Sequence, residues 1–367
     1  MDFRRFKGKR VLLRVDFNVP LKNGKIADDF RVRAHIPTIK SLLKARAQIF
    51  LISHLQKDDE VPHLDVLHKK LTKELGIKVK FLKGELASPS LSHKEKIILF
   101  DNIRLNEGEE KNDSGFAKKL SEWGDVFVND AFSAAHRSHA SIVGITKFLP
   151  SFMGPVMEKE VKNLSKSFRP AKPFLFVLAG KKFETKEPLI VKFLKKADTV
   201  FVGGALANTF LKQRGFYVGN SETENVKIPE NILNNKKTLL PMDVYVLRGK
   251  DKFSSRLEYV KNGDLIYDAG PETLKKLAEK ALSAKFILWN GTLGFCEGGF
   301  DFGTKEFAKA LGNSRAYRIA GGGDTVAALF RLGLEKNFDF ISTGGGAMLE
   351  FLAKGTLPGI EALRKRK

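Results

Sequence analysis

Short runs of β-branched and other apolar residues alternate with longer stretches in which apolar positions recur every three or four residues. This rhythm continues from one end of the chain to the other. The short runs predict strands at 11–15, 48–53, 96–100, 126–129, 173–178, 199–202, 265–267, 286–289, 317–319 and 338–341. Across 31–47, Val32, Ile36, Ile39, Leu42 and Leu43 form one apolar stripe, the signature of an amphipathic helix. Strands and helices in alternation imply an α/β protein with mainly parallel sheets. The charged run Glu158-Lys159-Glu160-Val161-Lys162, closed by prolines at 170 and 173, predicts a stiff helical linker over 153–172 between a domain at 1–152 and another at 173–355. No internal sequence repeat is visible.

Open α/β sheets build their sites at the carboxyl ends of the strands, so the residues that follow each run carry the chemistry. In the first half they are polar and cationic: Asp16-Phe17-Asn18, Ser53-His54-Leu55, Asp101-Asn102-Ile103-Arg104, and Asn129-Asp130-Ala131-Phe132 followed by His136-Arg137. In the second half they are glycine loops that open helices, among them Ala179-Gly180-Lys181-Lys182, Gly203-Gly204-Ala205, Gly321-Gly322-Gly323-Asp324-Thr325 and Thr343-Gly344-Gly345-Gly346. Arginines from different strands can converge on phosphate and carboxylate oxygens, whereas glycine loops at helix starts present amides to phosphates. The division points to one domain for a small anion, another for a phosphorylated nucleotide, and a ligand cleft between them. Each feature also has a plainer reading: Asp16 and Asn18 cap turns, the histidines are structural, the lysines are solvated, and Asp324 caps a helix.

Composition narrows the classes. At 367 residues with 32 glycines and 13 prolines, the chain suits two folded domains rather than disorder or low-complexity repeats. It lacks an apolar run of about 18 residues and a secretory leader pattern. A single cysteine, Cys296, excludes an intrachain disulfide, and together these features suit a soluble cytoplasmic protein. The net charge of +22 attracts polyanions, yet the basic residues are dispersed and carry no nucleic-acid-binding motif. Walker A, dinucleotide-binding and nucleophile-elbow signatures are missing, as is any clustered transition-metal set.

In order along the chain, Arg14-Val15-Asp16-Phe17-Asn18-Val19-Pro20-Leu21, Ser53-His54-Leu55, Asp101-Asn102-Ile103-Arg104, Phe127-Val128-Asn129-Asp130-Ala131-Phe132, Ala135-His136-Arg137-Ser138-His139-Ala140-Ser141, Gly203-Gly204-Ala205, Trp289-Asn290-Gly291, the 321–325 loop and Leu357-Pro358-Gly359 resemble the phosphoglycerate kinase family. The resemblance implies two Rossmann-like domains joined by a helix, with the tail at about 356–367 returning to the first domain, in a monomer that closes about a hinge. It implies reversible, Mg2+-dependent glycolytic transfer of a phosphoryl group between ATP and 3-phosphoglycerate, giving ADP and 1,3-bisphosphoglycerate. By the same resemblance, Asp16, Asn18, Arg31, His54, Lys57, Arg104 and Arg137 hold the acceptor. Arg31, Lys182, Lys186, Gly322 and Gly345 serve the transfer. Gly204, Glu297, Gly322, Gly323, Asp324, Thr325 and Lys186 hold the nucleotide, and Asp324 the metal.

Departures are informative. Gln56-Lys57-Asp58 stands where the family usually has Gly-Arg-Pro, which removes a bidentate guanidinium and strains Gln56 if that position needs φ > 0. Weaker acceptor binding is expected, on the order of 1–2 kcal/mol. Ala179, Thr292 and Met348 also depart from the family pattern around the nucleotide loops. Two alternatives stay open at this level: an impaired homologue that binds nucleotide or nucleic acid through its charge, and a kinase for a related acid.

Overall fold

The structure, a computed structural model, describes residues 1–56, 61–87 and 94–364. The chain divides into two compact units, Met1–Lys162 together with the segment from Lys354 on, and Asn163–Ala353.

The first unit is built on a six-stranded parallel sheet: β1 (Arg10–Arg14), β2 (Gln48–Ile52), β3 (Lys80–Leu82), β4 (Ile97–Phe100), β5 (Val126–Asn129) and β6 (Ser151–Met153), in the order β3-β4-β2-β1-β5-β6. Its central strands read as unbroken apolar runs because both faces are covered. Val11, Leu13, Ile49, Leu51, Ile97 and Leu99 point to one core, while Leu12, Phe50, Ile98, Phe100 and Phe127 point to the other with Trp123. The helix Phe30–Lys44 buries the stripe Val32, Ile36, Ile39 and Leu42 in the first of these cores. The helix Pro358–Arg364 also belongs to this unit, where the Gly359 amide donates to the Ala135 carbonyl at 2.8 Å.

The second unit carries β7 (Phe174–Ala179), β8 (Thr199–Gly203), β9 (Thr238–Leu239), β10 (Asp243–Arg248), β11 (Asp251–Arg256), β12 (Leu265–Ala269), β13 (Phe286–Asn290), β14 (Tyr317–Gly321) and β15 (Phe340–Ile341). Six form a parallel sheet in the order β9-β8-β7-β13-β14-β15. The other three form a separate antiparallel sheet, β11-β10-β12. The run at 265–267 therefore lies outside the parallel sheet, and Pro155–Ser165 is helical within the segment read as a linker. Phe176 and Phe193 pack at 4.5 Å between centroids on one face of the parallel sheet. Val177, Ile287, Trp289 and Phe307 fill the other.

Candidate functional site

At the carboxyl end of β1, Asp16 is almost wholly buried and is the hub of the first unit's polar cluster. Its Oδ2 lies 3.1 Å from Arg31 Nη1 and accepts the Ser133 hydroxyl, while Oδ1 accepts the Asn18 amide at 3.0 Å. Burial works to raise this carboxyl, but Arg31 and those hydrogen bonds outweigh it and hold it below its ordinary range. Arg31, in the first turn of its helix, also donates to the Asn18 carbonyl at 3.0 Å. The Asn18 side chain accepts the Gln56 amide at 3.0 Å, which ties the ends of β1 and β2 together.

His54 follows β2 and is buried against Arg14, whose Nη2 lies 3.2 Å from His54 Nδ1. Burial and the Arg14 charge push the imidazole well below its ordinary value. Arg104 follows β4, with Nε 3.0 Å from Glu110 Oε1 and Nη1 donating to Gln56 Oε1. Its Nη2 is buried with no hydrogen-bond partner among the described residues. Arg137 joins the same cluster, where it and Arg104 add to burial in forcing the His139 ring down to about 4. Four guanidinium groups, Arg14, Arg31, Arg104 and Arg137, thus share one region, and an orphaned buried donor among them is the mark of a site that takes an anion. Lys57 lies outside the described residues. Gln56 has no positive φ, so the strain expected there is not found.

In the second unit, the loops after β7, β8, β13 and β14 meet at one sheet edge. Gly322 sits at φ +101, where a Cβ would come within 2.9 Å of Asn290 Nδ2, so a side chain is excluded there on both counts. Gly323 begins the helix Gly323–Leu332 with open space beside it, which leaves the first-turn amides accessible. The Thr325 hydroxyl is fully buried and accepts the Gly291 amide at 2.9 Å, bracing the loop after β13 against the one after β14. Gly345, at φ +52, precedes the helix Gly346–Lys354. Lys186 is buried on the helix Phe183–Leu194 with its Nζ 3.4 Å from Asn290 Oδ1. Burial lowers its ammonium and nearby Asp324 counters this.

A cavity of about 570 Å³ opens beside these loops. Gly180, Gly204, Asp324 and Glu297 line it, and Leu265, Tyr267, Leu293 and Phe295 supply an apolar wall. Tyr267 and Phe295 stack with centroids 5.7 Å apart, a surface suited to a flat aromatic base. Gly322, Gly323, Thr325, Gly345 and Lys186 stand outside this lining, and Lys182 is exposed at the start of its helix. Among the described residues no group of three or more His, Cys, Asp or Glu could hold a metal ion. The single carboxylate of Asp324 instead suits a magnesium ion carried on phosphate oxygens, which keeps most of its ligands from substrate and water.

Several participants are given no role by the linear sequence. Arg14 closes a strand that also opens on an arginine, Arg10, Glu109 is fully buried although it belongs to a run of charges, and Tyr267 and Phe295 look like ordinary core residues. What identifies them is placement at a strand end or in the cavity wall, which no local pattern encodes.

The sequence model of the phosphoglycerate kinase family matches residues 1–355. The chain is 42% identical to a phosphoglycerate kinase of Borrelia garinii, over 99% of this chain and 98% of that one. It is 39% identical to one from Pelotomaculum thermopropionicum, over 97% and 96%. Among solved structures, the phosphoglycerate kinase of Coxiella burnetii superposes with a TM-score of 0.84 at 36% identity, covering 98% of this chain and 97% of that one. That of Pyrococcus horikoshii does so with 0.86 at 31%, covering 98% and 96%. With sequence and fold matched over nearly their full lengths, the chain belongs to the phosphoglycerate kinase family.

Proposed function

We propose that the protein catalyses reversible, magnesium-dependent phosphoryl transfer between ATP and the carboxylate of 3-phosphoglycerate, giving ADP and 1,3-bisphosphoglycerate. In this reading it acts as a cytoplasmic monomer. The observation that carries the proposal is the cluster of four arginines around Asp16 and His54, with a buried Arg104 donor that has no partner among the described residues. It accompanies a nucleotide-sized cavity bordered by glycine loops in the second unit.

The acceptor's carboxylate is ionised at neutral pH, so its oxygen attacks the terminal phosphorus of ATP without a general base, and the β-phosphate oxygen of ADP leaves. What remains for the protein is positioning and neutralisation of charge. Arg104, Arg137 and His54 hold the acceptor, and Asp16 fixes Arg31 for the phosphoryl group in transit. Lys186, Lys182 and the amides at Gly322, Gly323 and Gly345 serve the phosphates. Gly204, Thr325 and Glu297 complete the nucleotide contacts. Asp324 is the carboxylate that would hold magnesium, which when bound would supply neutralisation of phosphate charge. Lys57 belongs to the acceptor set by resemblance alone.

A coupled assay of ATP- and magnesium-dependent 3-phosphoglycerate turnover tests the reading, with Arg31→Ala prepared in parallel. Turnover that collapses in the variant supports it. No turnover by the folded parent protein overturns it.

A further inference from the structure

We propose that Glu109 is a positioning residue for acceptor binding, acting through Ser141 and Arg14 to set which nitrogen of His54 carries the proton. The role of His54 toward the acceptor rests on the function proposed above, whereas the chain of contacts stands on its own. Glu109 is fully buried and accepts the Ser141 amide at 2.9 Å and the Ser141 hydroxyl at 2.6 Å. With its O–H donating to the carboxylate, that hydroxyl accepts from Arg14 Nε at 3.0 Å. Arg14 Nη1 donates to the Val15 carbonyl at 2.6 Å, so the guanidinium is pinned at a second point. Its remaining arm, Nη2, meets His54 Nδ1 at 3.2 Å.

Donor direction settles the tautomer. A guanidinium has only donors, so Nδ1 of His54 must accept and the ring proton must reside on Nε2. His54 then offers a neutral Nε2–H to an anion. The groups around the ring work the same way: Arg14, Arg104 and Arg137 oppose a second proton, and Asp16, which favours one, is taken up with Arg31, Ser133 and Asn18. Without Glu109 the Ser141 hydroxyl has no fixed proton direction. Arg14 then loses both its aligned acceptor and its buried counter-charge.

The test uses the full-length protein with 15N-labelled histidine, free of ligand, and reads the His54 ring nitrogens by long-range proton–nitrogen correlation. The parent is expected to show only the Nε2–H form near pH 7, and a charged ring or an Nδ1–H ring overturns the proposal before any variant is made. In Glu109→Gln, and independently in Ser141→Ala, a mixture of ring states is expected. The Michaelis constant for 3-phosphoglycerate should rise about tenfold with kcat within about twofold. A folded variant that keeps the pure Nε2–H form overturns the relay. Absence of turnover in the parent overturns the proposed function and leaves the ring-state readout to decide the relay.

Discussion

Gly321 and Met348 compete for one volume: a Cβ added to Gly321 would lie 2.0 Å from Met348 Sδ, and the methionine is fully buried. The larger side chain after the second glycine loop is thus accommodated by the missing side chain at the end of β14. Gly321→Ala should destabilise the protein by about 2–3 kcal/mol through overpacking. Met348→Ala alone should cost about 2–4 kcal/mol through its cavity. Combined, the two should cost at least about 1 kcal/mol less than their sum, because each relieves the other. Urea denaturation of the four proteins provides the comparison, and strict additivity would show that the two residues do not share the space.

Lys186 carries a charge where stability disfavours one. Burial depresses its ammonium, and the group within hydrogen-bond reach is a neutral amide, Asn290. On the proposed mechanism its charge is present for the transferring phosphate. Lys186→Met should lower kcat by about 100-fold or more while leaving stability unchanged or slightly raised. A variant that unfolds readily but turns over normally per folded molecule would assign the lysine a structural role instead.

Asp268, in the wall of the cavity, is pushed up to about 7 by burial, with Asp301 adding to the effect against hydrogen bonds from the Gly303 and Ala269 amides. Folding therefore favours the protonated acid. Its contribution to stability is complete below the ordinary value of 3.8 and is lost as pH rises toward and through about 7. Asp268→Asn cannot ionise, so its stability relative to the parent should improve between about pH 4 and 7.5, by about 3 kcal/mol. Denaturation midpoints at the two ends of that window measure the difference. Parallel profiles for parent and variant would mean that Asp268 stays ionised when folded.

These cases show where the sequence was readable. Strands with both faces covered announce themselves as apolar runs, and the ends of β1, β2, β4 and β5 carried in plain view the polar and cationic residues that the structure gathers into one cluster. β11 escaped because Asp251–Arg256 is mostly exposed and mostly polar, with no apolar run to mark it, whereas its antiparallel partner β10 carries an apolar run, Val244–Leu247, that the predicted strands leave out. β3 and β6, three residues each, were too short to stand out. In the site, Asp16 and Arg31 were legible as charged residues at a strand end and a helix start. Arg14 and Glu109 were not, because a buried charge becomes intelligible only once its partner, distant in sequence, is brought beside it. Met348 was visible as a departure, but its consequence depends on Gly321, 27 positions earlier.

Gln56 modifies the arginine cluster proposed to hold the acceptor in a way that composition alone does not reveal. Its side-chain oxygen accepts a hydrogen bond from Arg104 Nη1, while Glu110 holds Nε and Nη2 has no partner among the described residues. An incoming phosphate or carboxylate must therefore displace a neutral amide to engage Arg104 bidentately through Nη1 and Nη2. Gln56→Gly, which restores the residue usual in the family, should lower the Michaelis constant for 3-phosphoglycerate about three- to tenfold with kcat unchanged. Gln56→Glu should raise it more than about tenfold, since a carboxylate at that point neutralises the same guanidinium and repels the acceptor. Steady-state kinetics over a range of 3-phosphoglycerate concentrations at saturating MgATP separates the cases. If the glycine variant binds the acceptor more weakly, Gln56 is holding Arg104 in its productive orientation rather than competing for it.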